Sequence, residues 1–125
     1  VGEFQQFTHS FPNVSFILIK GNHDRQSDEF LYELGIQSIY EHMILKDLYF
    51  THQPSDLQSY TISGHIHPGI KFKLGNKQRL SLPCFVVKDQ QLILPAFSEF
   101  SGLDTKSLPN DATYYPFFEQ GIFQL

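Results

Sequence analysis

A nearly continuous apolar run from Val14 to Ile19 limits the possible folds of this chain more than any other feature. A strand that faced water on one side would alternate apolar and polar residues, and this run does not, so it predicts a central strand covered on both faces. Phe4, Phe7 and Phe11 recur at helical spacing just before it, which predicts a helix over residues 2–10. A helix that leads into a buried strand predicts an α/β unit with a parallel sheet.

Beyond this unit the sequence is mainly of the β type. Ser27 is predicted to cap a short helix through Leu34, with Gly35 at the first position after it. Brief runs of β-forming residues then follow, several of them separated by turn signals. The predicted strands are residues 36–40, 43–45, 48–51, 60–63, 70–74, 80–87 and 91–94, and the predicted turns are Lys46-Asp47, Gly75-Asn76 and Asp89-Gln90.

Residues 97–125 are rich in Phe, Tyr and Pro but show no clear period. We expect them to be irregular chain packed by its aromatic side chains. No internal repeat, low-complexity tract or linker divides the sequence, so residues 1–125 are expected to form a single domain unit. Its expected class is α/β, at the boundary with α+β.

The charge balance bears on the partners of the chain. It has 13 acidic and 9 basic residues, a net charge of -4, and neither sign is collected into a long run. The sequence therefore lacks the polycationic pattern of tight, nonspecific nucleic-acid binding. A nucleotide or nucleic-acid substrate remains compatible with this charge, because bound metal cations can supply the positive charge that phosphate needs.

Cysteine use and the first residues favour a cytoplasmic protein without membrane contact. The single cysteine, Cys84, lies in an apolar run, where a free thiol behaves as a small buried hydrophobe. The chain starts with neither the basic nor the apolar region of a secretory signal, and no stretch approaches the ~20 apolar residues of a membrane span. It also starts without Met inside a predicted helix, so we expect an N-terminal portion of the protein to precede Val1.

Histidine and amide side chains follow three of the predicted strands. Asn22 and His23 come after the first strand, His52 comes after residues 48–51, and His65 and His67 come after residues 60–63. Ligands of open α/β sheets bind at the carboxyl ends of the strands, so these positions predict a functional site. Imidazole nitrogen and amide oxygen suit Mn, Zn, Fe, Co or Ni, and the ligand types alone do not select among them.

Plainer interpretations exist for each of these residues. Gly64 and Pro68 could form a tight strand-ending turn in which the two histidines are incidental, or they could turn the loop so that both histidines face neighbouring metals. Gly21-Asn22-His23-Asp24 could be an ordinary turn of residues that tolerate left-handed backbone. The ordered placement of all three clusters at strand ends favours metal ligation. His9 and His42 lie outside any motif and are expected to be surface or packing residues.

The segments Gly21-Asn22-His23-Asp24, the isolated His52 and Gly64-His65-Ile66-His67 resemble, in this order, the last three motifs of calcineurin-like metallophosphoesterases. The resemblance spans roughly residues 14–95. Further segments are similar to the bacterial ligase-associated DNA damage response endonucleases within that superfamily, a branch linked to DNA repair. These segments are Gly64 to Gly69, Arg79-Leu80, Leu82 to Phe85 and Leu94 to Phe97.

The resemblance implies roles for individual residues. Asn22, His52 and His65 would ligate one of two divalent metal ions, with manganese favoured, and His67 would ligate the other. His23 would protonate the leaving oxygen during hydrolysis of a phosphodiester by a metal-activated water. Apart from the resemblance, Arg25 could bind a substrate phosphate or simply face solvent.

The resemblance also implies a fold and an incomplete site. The chain would be the C-terminal portion of a β-sandwich made of two mixed sheets flanked by helices. The two acidic motifs that open the family pattern are absent from this sequence and would lie upstream of Val1.

Two functions from different classes follow. The first is a phosphodiesterase or nuclease-like hydrolase, with nucleic acid as a candidate substrate, in which the isolated 125-residue chain is inactive and holds at most one ion. The second is a noncatalytic metal-binding or scaffold module that has lost the upstream carboxylates. Either one is expected to leave an apolar sheet edge or face exposed, which would favour a homo-oligomer or association with another polypeptide segment.

Overall fold

The computed structural model describes residues 2–21, 28–55, 59–97 and 102–125. The chain divides into two compact units, residues 1–43 and residues 44–125. In the described part of the chain, strands outnumber helices and both parallel and antiparallel pairings occur in two sheets. This mixed architecture confirms the expected fold class.

The first unit is a small helix and strand assembly around one parallel strand pair. It contains α1 (Gly2–His9), β1 (Phe16–Ile19), α2 (Asp28–Glu33) and β2 (Ile36–Tyr40). β1 and β2 pair in parallel, with an irregularity between Phe16 and Ile17. Gly35 ends α2 with a φ of 97°, the left-handed geometry predicted for this position. Ser27, the predicted cap of α2, lies outside the described residues.

The expectation that Val14 to Ile19 forms a central strand covered on both faces is wrong for the described chain. β1 pairs with one strand, β2, and the side chain of Ile17 is 46% exposed. An apolar run shows that both faces of a strand can be buried. Whether they are buried depends on which other elements pack against them. Among the described residues, Phe7 of α1 covers part of the strand, and its ring meets that of Phe16 edge-on.

The second unit is built on one large mixed sheet. Its strands appear in the spatial order β10, β9, β7, β8, β5, β4, β3, and β6 pairs with β7 beside this row. The strands are β3 (His42–Leu45), β4 (Leu48–Thr51), β5 (Tyr60–Ser63), β6 (Gly69–Leu74), β7 (Gln78–Lys88), β8 (Gln91–Ile93), β9 (Thr113–Phe118) and β10 (Gly121–Ile122). β3 lies at one end of the row, and the side chain of its Ile44 is 70% exposed.

Parallel pairing brings three strand ends to one edge of this sheet. β4 pairs with β5 and β5 pairs with β8, all in parallel, and Ser63 is the register partner of both Thr51 and Ile93. The chain therefore leaves these three strands at the same level. The loops that begin with His52 and Gly64 depart side by side from this carboxyl edge.

β7 is the longest strand and joins two parts of the second unit. Residues Cys84 to Lys88 pair with β8 and β9, whereas residues Gln78 to Pro83 pair with β6 in an antiparallel hairpin. Cys84, Val86 and Ile93 form the buried core of the sheet, and Ile66, Ile70, Ala112 and Tyr114 pack against it. Since β7 runs opposite to β8, its first half extends beyond the carboxyl edge of β8.

The expectation of irregular chain over residues 97–125 is wrong in part, because β9 and β10 occupy residues Thr113–Phe118 and Gly121–Ile122. The sequence of β9 hides its strand character, since aromatic residues occupy both faces and Pro116 interrupts the pattern. The antiparallel partnership with β7, in which Pro116 faces Cys84, defines the strand instead. No helix in the described ranges is long and apolar enough to cross a membrane.

Candidate metal and catalytic site

The carboxyl edge of the parallel strands brings two of the predicted ligands together. His52 Nε2 lies 3.0 Å from His65 Nδ1, and the two rings meet edge-on with centroids 4.9 Å apart. Both side chains are partly buried. The backbone supports the pair, because the Gly64 N–H donates to the His52 carbonyl oxygen at 2.9 Å. Residues 13 positions apart in the chain therefore meet through strand register.

A nitrogen separation of 3.0 Å fits two physical arrangements. In the first, one imidazole N–H donates to the bare nitrogen of the other ring. In the second, both nitrogens are bare and bind one cation: two nitrogen ligands about 2.1 Å from an ion stand about 3.0 Å apart when the angle between them is about 90°, as in octahedral coordination. The donor chemistry of the pair thus fits a divalent transition-metal ion, with His52 and His65 as neighbouring ligands.

The loop after β5 carries backbone strain at both of its histidines. His65 has a φ of 74° and His67 a φ of 56°, in the left-handed region that few side chains occupy. The Ile66 N–H donates to the Gly64 carbonyl at 2.9 Å, so His65 is the central residue of a γ-turn of the rare, strained form. Such conformations cost about 1–3 kcal/mol each and tend to cluster at functional sites.

The conformational freedom of Gly64 does not determine the shape of this loop. The sequence suggests that Gly64 permits a close approach, yet a Cβ added there would meet only the His52 carbonyl oxygen, at an ordinary 3.9 Å. The unusual backbone falls on the two histidines themselves. Ile66 lies between them and packs against the sheet core, so hydrophobic burial helps to hold the strained turn in place.

A distant segment, residues 103–107, holds the other side of the loop through backbone hydrogen bonds, and we call it the Asp104 segment. The Asp104 N–H donates to the His67 carbonyl at 2.9 Å, and the Gly69 N–H donates to the Asp104 carbonyl at 3.0 Å. The Asp104 carboxylate accepts hydrogen bonds from the backbone N–H groups of Lys106 and Ser107, at 3.0 and 2.8 Å. These two bonds lower the pKa of Asp104, Ser107 contributing more than Lys106. The segment thus holds the backbone at His67 from outside the parallel strands.

His67 is not part of the pair formed by His52 and His65. Within the described ranges, no group of three or more His, Cys, Asp or Glu side chains is arranged to hold a metal ion. His67 follows the same strained turn and its side chain is partly buried. Its predicted role as ligand of a second ion stays a prediction.

The remaining predicted site residues lie outside the described part of the chain. These are Asn22, the predicted metal ligand, His23, the predicted general acid, and Arg25, the predicted phosphate ligand; Asp24 lies there as well. Their assignments stay predictions from the sequence. Gly21, which ends the segment before them, is described and follows β1.

Sequence reasoning missed one contribution to the site, the Asp104 segment, which acts through backbone groups and leaves no signal in side-chain spacing. Ser63, directly before the loop, has a buried hydroxyl that lacks a hydrogen-bond partner among the described residues, and its carbonyl accepts from the Leu94 N–H at 2.7 Å. Cys84 was predicted correctly: it is fully buried, and burial raises the pKa of its thiol to about 11. It is a core residue, and burial together with the raised pKa disfavours a role as a nucleophile.

No protein-family model and no curated protein matches the chain. Among solved structures, the chain is similar to the crystal structure of a nuclease, MPE, from Pseudomonas putida, with a TM-score of 0.74 and 31% sequence identity. The similarity covers 92% of this chain and 56% of the nuclease chain. The chain therefore has the fold of roughly half of that nuclease.

Proposed function

We propose that the protein is a metal-dependent hydrolase of phosphodiester bonds, with nucleic acid as its substrate class. The observation that carries the proposal is the pair His52 and His65, whose nitrogens stand 3.0 Å apart at the carboxyl edge of three parallel strands. The similarity to a nuclease over 92% of this chain supports the substrate class. The motif order supports a place among the calcineurin-like metallophosphoesterases, near the ligase-associated endonucleases.

In the proposed site, Asn22, His52 and His65 hold one divalent ion and His67 holds the second, with manganese favoured. Two such ions, when bound, neutralise charge on the phosphoryl oxygens and activate a water molecule. The residues of this chain position that chemistry: the γ-turn fixes His65 beside His52, and the Asp104 segment fixes the backbone at His67. We further propose that the remaining carboxylate ligands belong to a part of the protein outside these 125 residues.

The proposed proton donor is His23. It would protonate the oxygen that departs from phosphorus, a contribution of about 10²–10⁴-fold in rate for a well-placed general acid. Arg25 would pair with a phosphate next to the scissile bond. Both residues follow the first strand, where the loops of α/β sheets commonly bind ligands.

The proposal is tested by measuring metal content and hydrolysis of bis(p-nitrophenyl) phosphate for variants of the complete protein. His65→Ala should lose bound metal and hydrolysis together, whereas His23→Ala should keep the metal and lose hydrolysis. His9→Ala is the matched control, because this exposed histidine lies in α1 and away from every motif, and it should retain both properties.

Two results would refute the assignment. Full hydrolysis by His65→Ala, or hydrolysis that persists in the presence of a chelator, would show that the histidine pair does not support catalysis. Metal that binds at His52 and His65 in a wild-type protein without any hydrolysis would instead identify the noncatalytic metal-binding module.

A further inference from the structure

The hairpin of β6 and β7 concentrates positive charge in a chain that is acidic overall. Residues 69–83 contain 4 of the 9 basic residues, namely Lys71, Lys73, Lys77 and Arg79, and no Asp or Glu. These four charges do not form a run in the sequence, because uncharged residues, many of them apolar, separate them. In three dimensions they lie on one structural element, so the chain does carry a local cationic surface.

Strand pairing divides this hairpin into two chemically distinct faces. Phe72 pairs with Leu80, and Ile70 pairs with Leu82, so apolar side chains share one face. That face lies against the C-terminal residues, and the centroid of the Phe72 ring is 6.2 Å from the centroid of the Phe123 ring. The opposite face presents the pairs formed by Lys71 with Ser81 and by Lys73 with Arg79, and all four of these residues are exposed. We call this opposite face the basic face.

The basic face contains a feature that works against the stability of the hairpin. Lys73 and Arg79 are direct cross-strand partners, and like charges in that position repel each other. None of Lys71, Lys73 and Arg79 has a carboxylate within ion-pair distance in the described part of the chain. Lysines on an edge strand such as β6 hinder aggregation, but that role does not require a cation directly opposite them on β7. An anionic ligand would relieve the repulsion.

The hairpin begins at the candidate site and leads away from it. Gly69, the first residue of β6, comes two positions after His67, and β7 extends past the carboxyl edge on which His52 and His65 meet. Lys71 and Lys73 stand two residues apart on one face, which separates their Cα atoms by about 7 Å. Each ammonium group can then meet a different phosphate of a strand whose scissile bond lies at the histidines.

From this arrangement we propose that the basic face binds the phosphate backbone of a nucleic-acid strand and directs that strand to the histidine loop. This inference rests on the proposed function, since it names the surface by which the same site takes a polymeric substrate. Lys71, Lys73 and Arg79 act as positioning residues through charge, and they make no demand on base sequence.

The test measures fluorescence anisotropy of a labelled single-stranded DNA of about 16 nucleotides, a length at the upper end of common single-strand sites. A chelator is present, so that binding is independent of hydrolysis. The variant Lys71→Gln, Lys73→Gln, Arg79→Gln removes three phosphate contacts, each of which contributes about 0.7 to the slope of log K against log salt. The slope should fall by about 2, and binding at about 0.1 M salt should weaken about 100-fold.

The matched control is Lys46→Gln, Lys88→Gln, Lys106→Gln, which removes the same charge from sites outside residues 69–83. It should keep a slope close to that of the wild type. Equal weakening in both triple variants would overturn the inference, because net charge alone would then explain binding, and so would wild-type binding by the hairpin variant. Binding of the wild type to phosphatidylserine vesicles but not to the oligonucleotide would also overturn it.

The two proposals fail separately. If the complete protein does not hydrolyse bis(p-nitrophenyl) phosphate but the hairpin variant still loses DNA binding, the proposed function is refuted and the basic face is supported as a binding surface. A thermal midpoint at or above that of the wild type would confirm that the hairpin variant is folded, since its substituted side chains are exposed and one like-charge pair is gone.

Discussion

Replacing Gly69 with Ala tests whether the fit between β6 and the Asp104 segment holds the histidine loop. A Cβ at Gly69 would lie 2.9 Å from Leu103 Cβ, 3.0 Å from Leu103 Cδ1 and 3.2 Å from the Leu82 carbonyl oxygen. The Cδ1 atom can swing away, but Leu103 Cβ and the carbonyl are fixed to the backbone. The new methyl group can be accommodated only if one of the two chain segments moves.

The expected cost follows from two opposing terms. Adding a methyl group to a filled site costs about 1–3 kcal/mol. Replacing a glycine whose φ other residues can adopt stabilises the folded protein by about 0.4–1 kcal/mol, because alanine lowers the conformational entropy of the unfolded chain. We therefore expect Gly69→Ala to lower the free energy of unfolding by roughly 1–2 kcal/mol. For a chain of this size that corresponds to a fall of roughly 4–8 °C in Tm.

Thermal melting followed by circular dichroism, together with urea unfolding, measures this difference. Gly102→Ala is the matched control, because Gly102 directly precedes Leu103 and a Cβ there would meet nothing within 4 Å. Its Tm should equal or slightly exceed that of the wild type. If Gly69→Ala is as stable as Gly102→Ala, the contact between Gly69 and Leu103 does not constrain the loop and the reasoning fails.

Two further predictions concern Cys84 and Gly35. The Cys84 thiol should not react with a disulfide reagent at pH 8 until the protein unfolds. Burial in the folded protein raises the pKa of this thiol from 9.0 to about 11, so the thiol ionises first in the unfolded chain, and the free energy of unfolding should fall as pH rises from about 9 to about 11. Comparing the pH dependence of unfolding with that of Cys84→Ala checks the sign, and a parallel dependence would contradict it. Gly35→Ala should lower the free energy of unfolding more than Gly69→Ala does, because the φ of Gly35 is 97° and the new Cβ would meet Thr8 Cβ at 2.7 Å. A Tm of Gly35→Ala close to that of the wild type would refute this.

The sequence predicts strand positions well where short-range signals are strong. The turn at Lys46-Asp47, in which both residues have positive φ, and the limits of β2, β4 and β5 agree with the structure because turn residues and β-forming runs mark them locally. β9 was not predicted, because its strand character depends on pairing with β7, a partner about 30 residues earlier in the chain. Local pattern cannot report such a long-range pairing.

The candidate site was likewise predictable only in part. Strand ends alone suggested that His52 and His65 would be neighbours, and register places their nitrogens 3.0 Å apart. The hydrogen bonds from Asp104 were not predictable, because any residue can supply backbone groups. The basic face was hidden because its charges alternate with uncharged residues in the sequence, and only the pairing of β6 with β7 collects them.

The continuity of β7 has a consequence for orientation. One uninterrupted strand contributes both to the core of the sheet and to the hairpin that extends beyond it, so no hinge separates the two. Neighbouring strands in a sheet turn relative to one another by roughly 20–25°, with a fixed hand. The angle at which the hairpin leaves the histidines is therefore set by the twist of the sheet, and side-chain substitutions on the hairpin can change the surface that it presents without changing its direction.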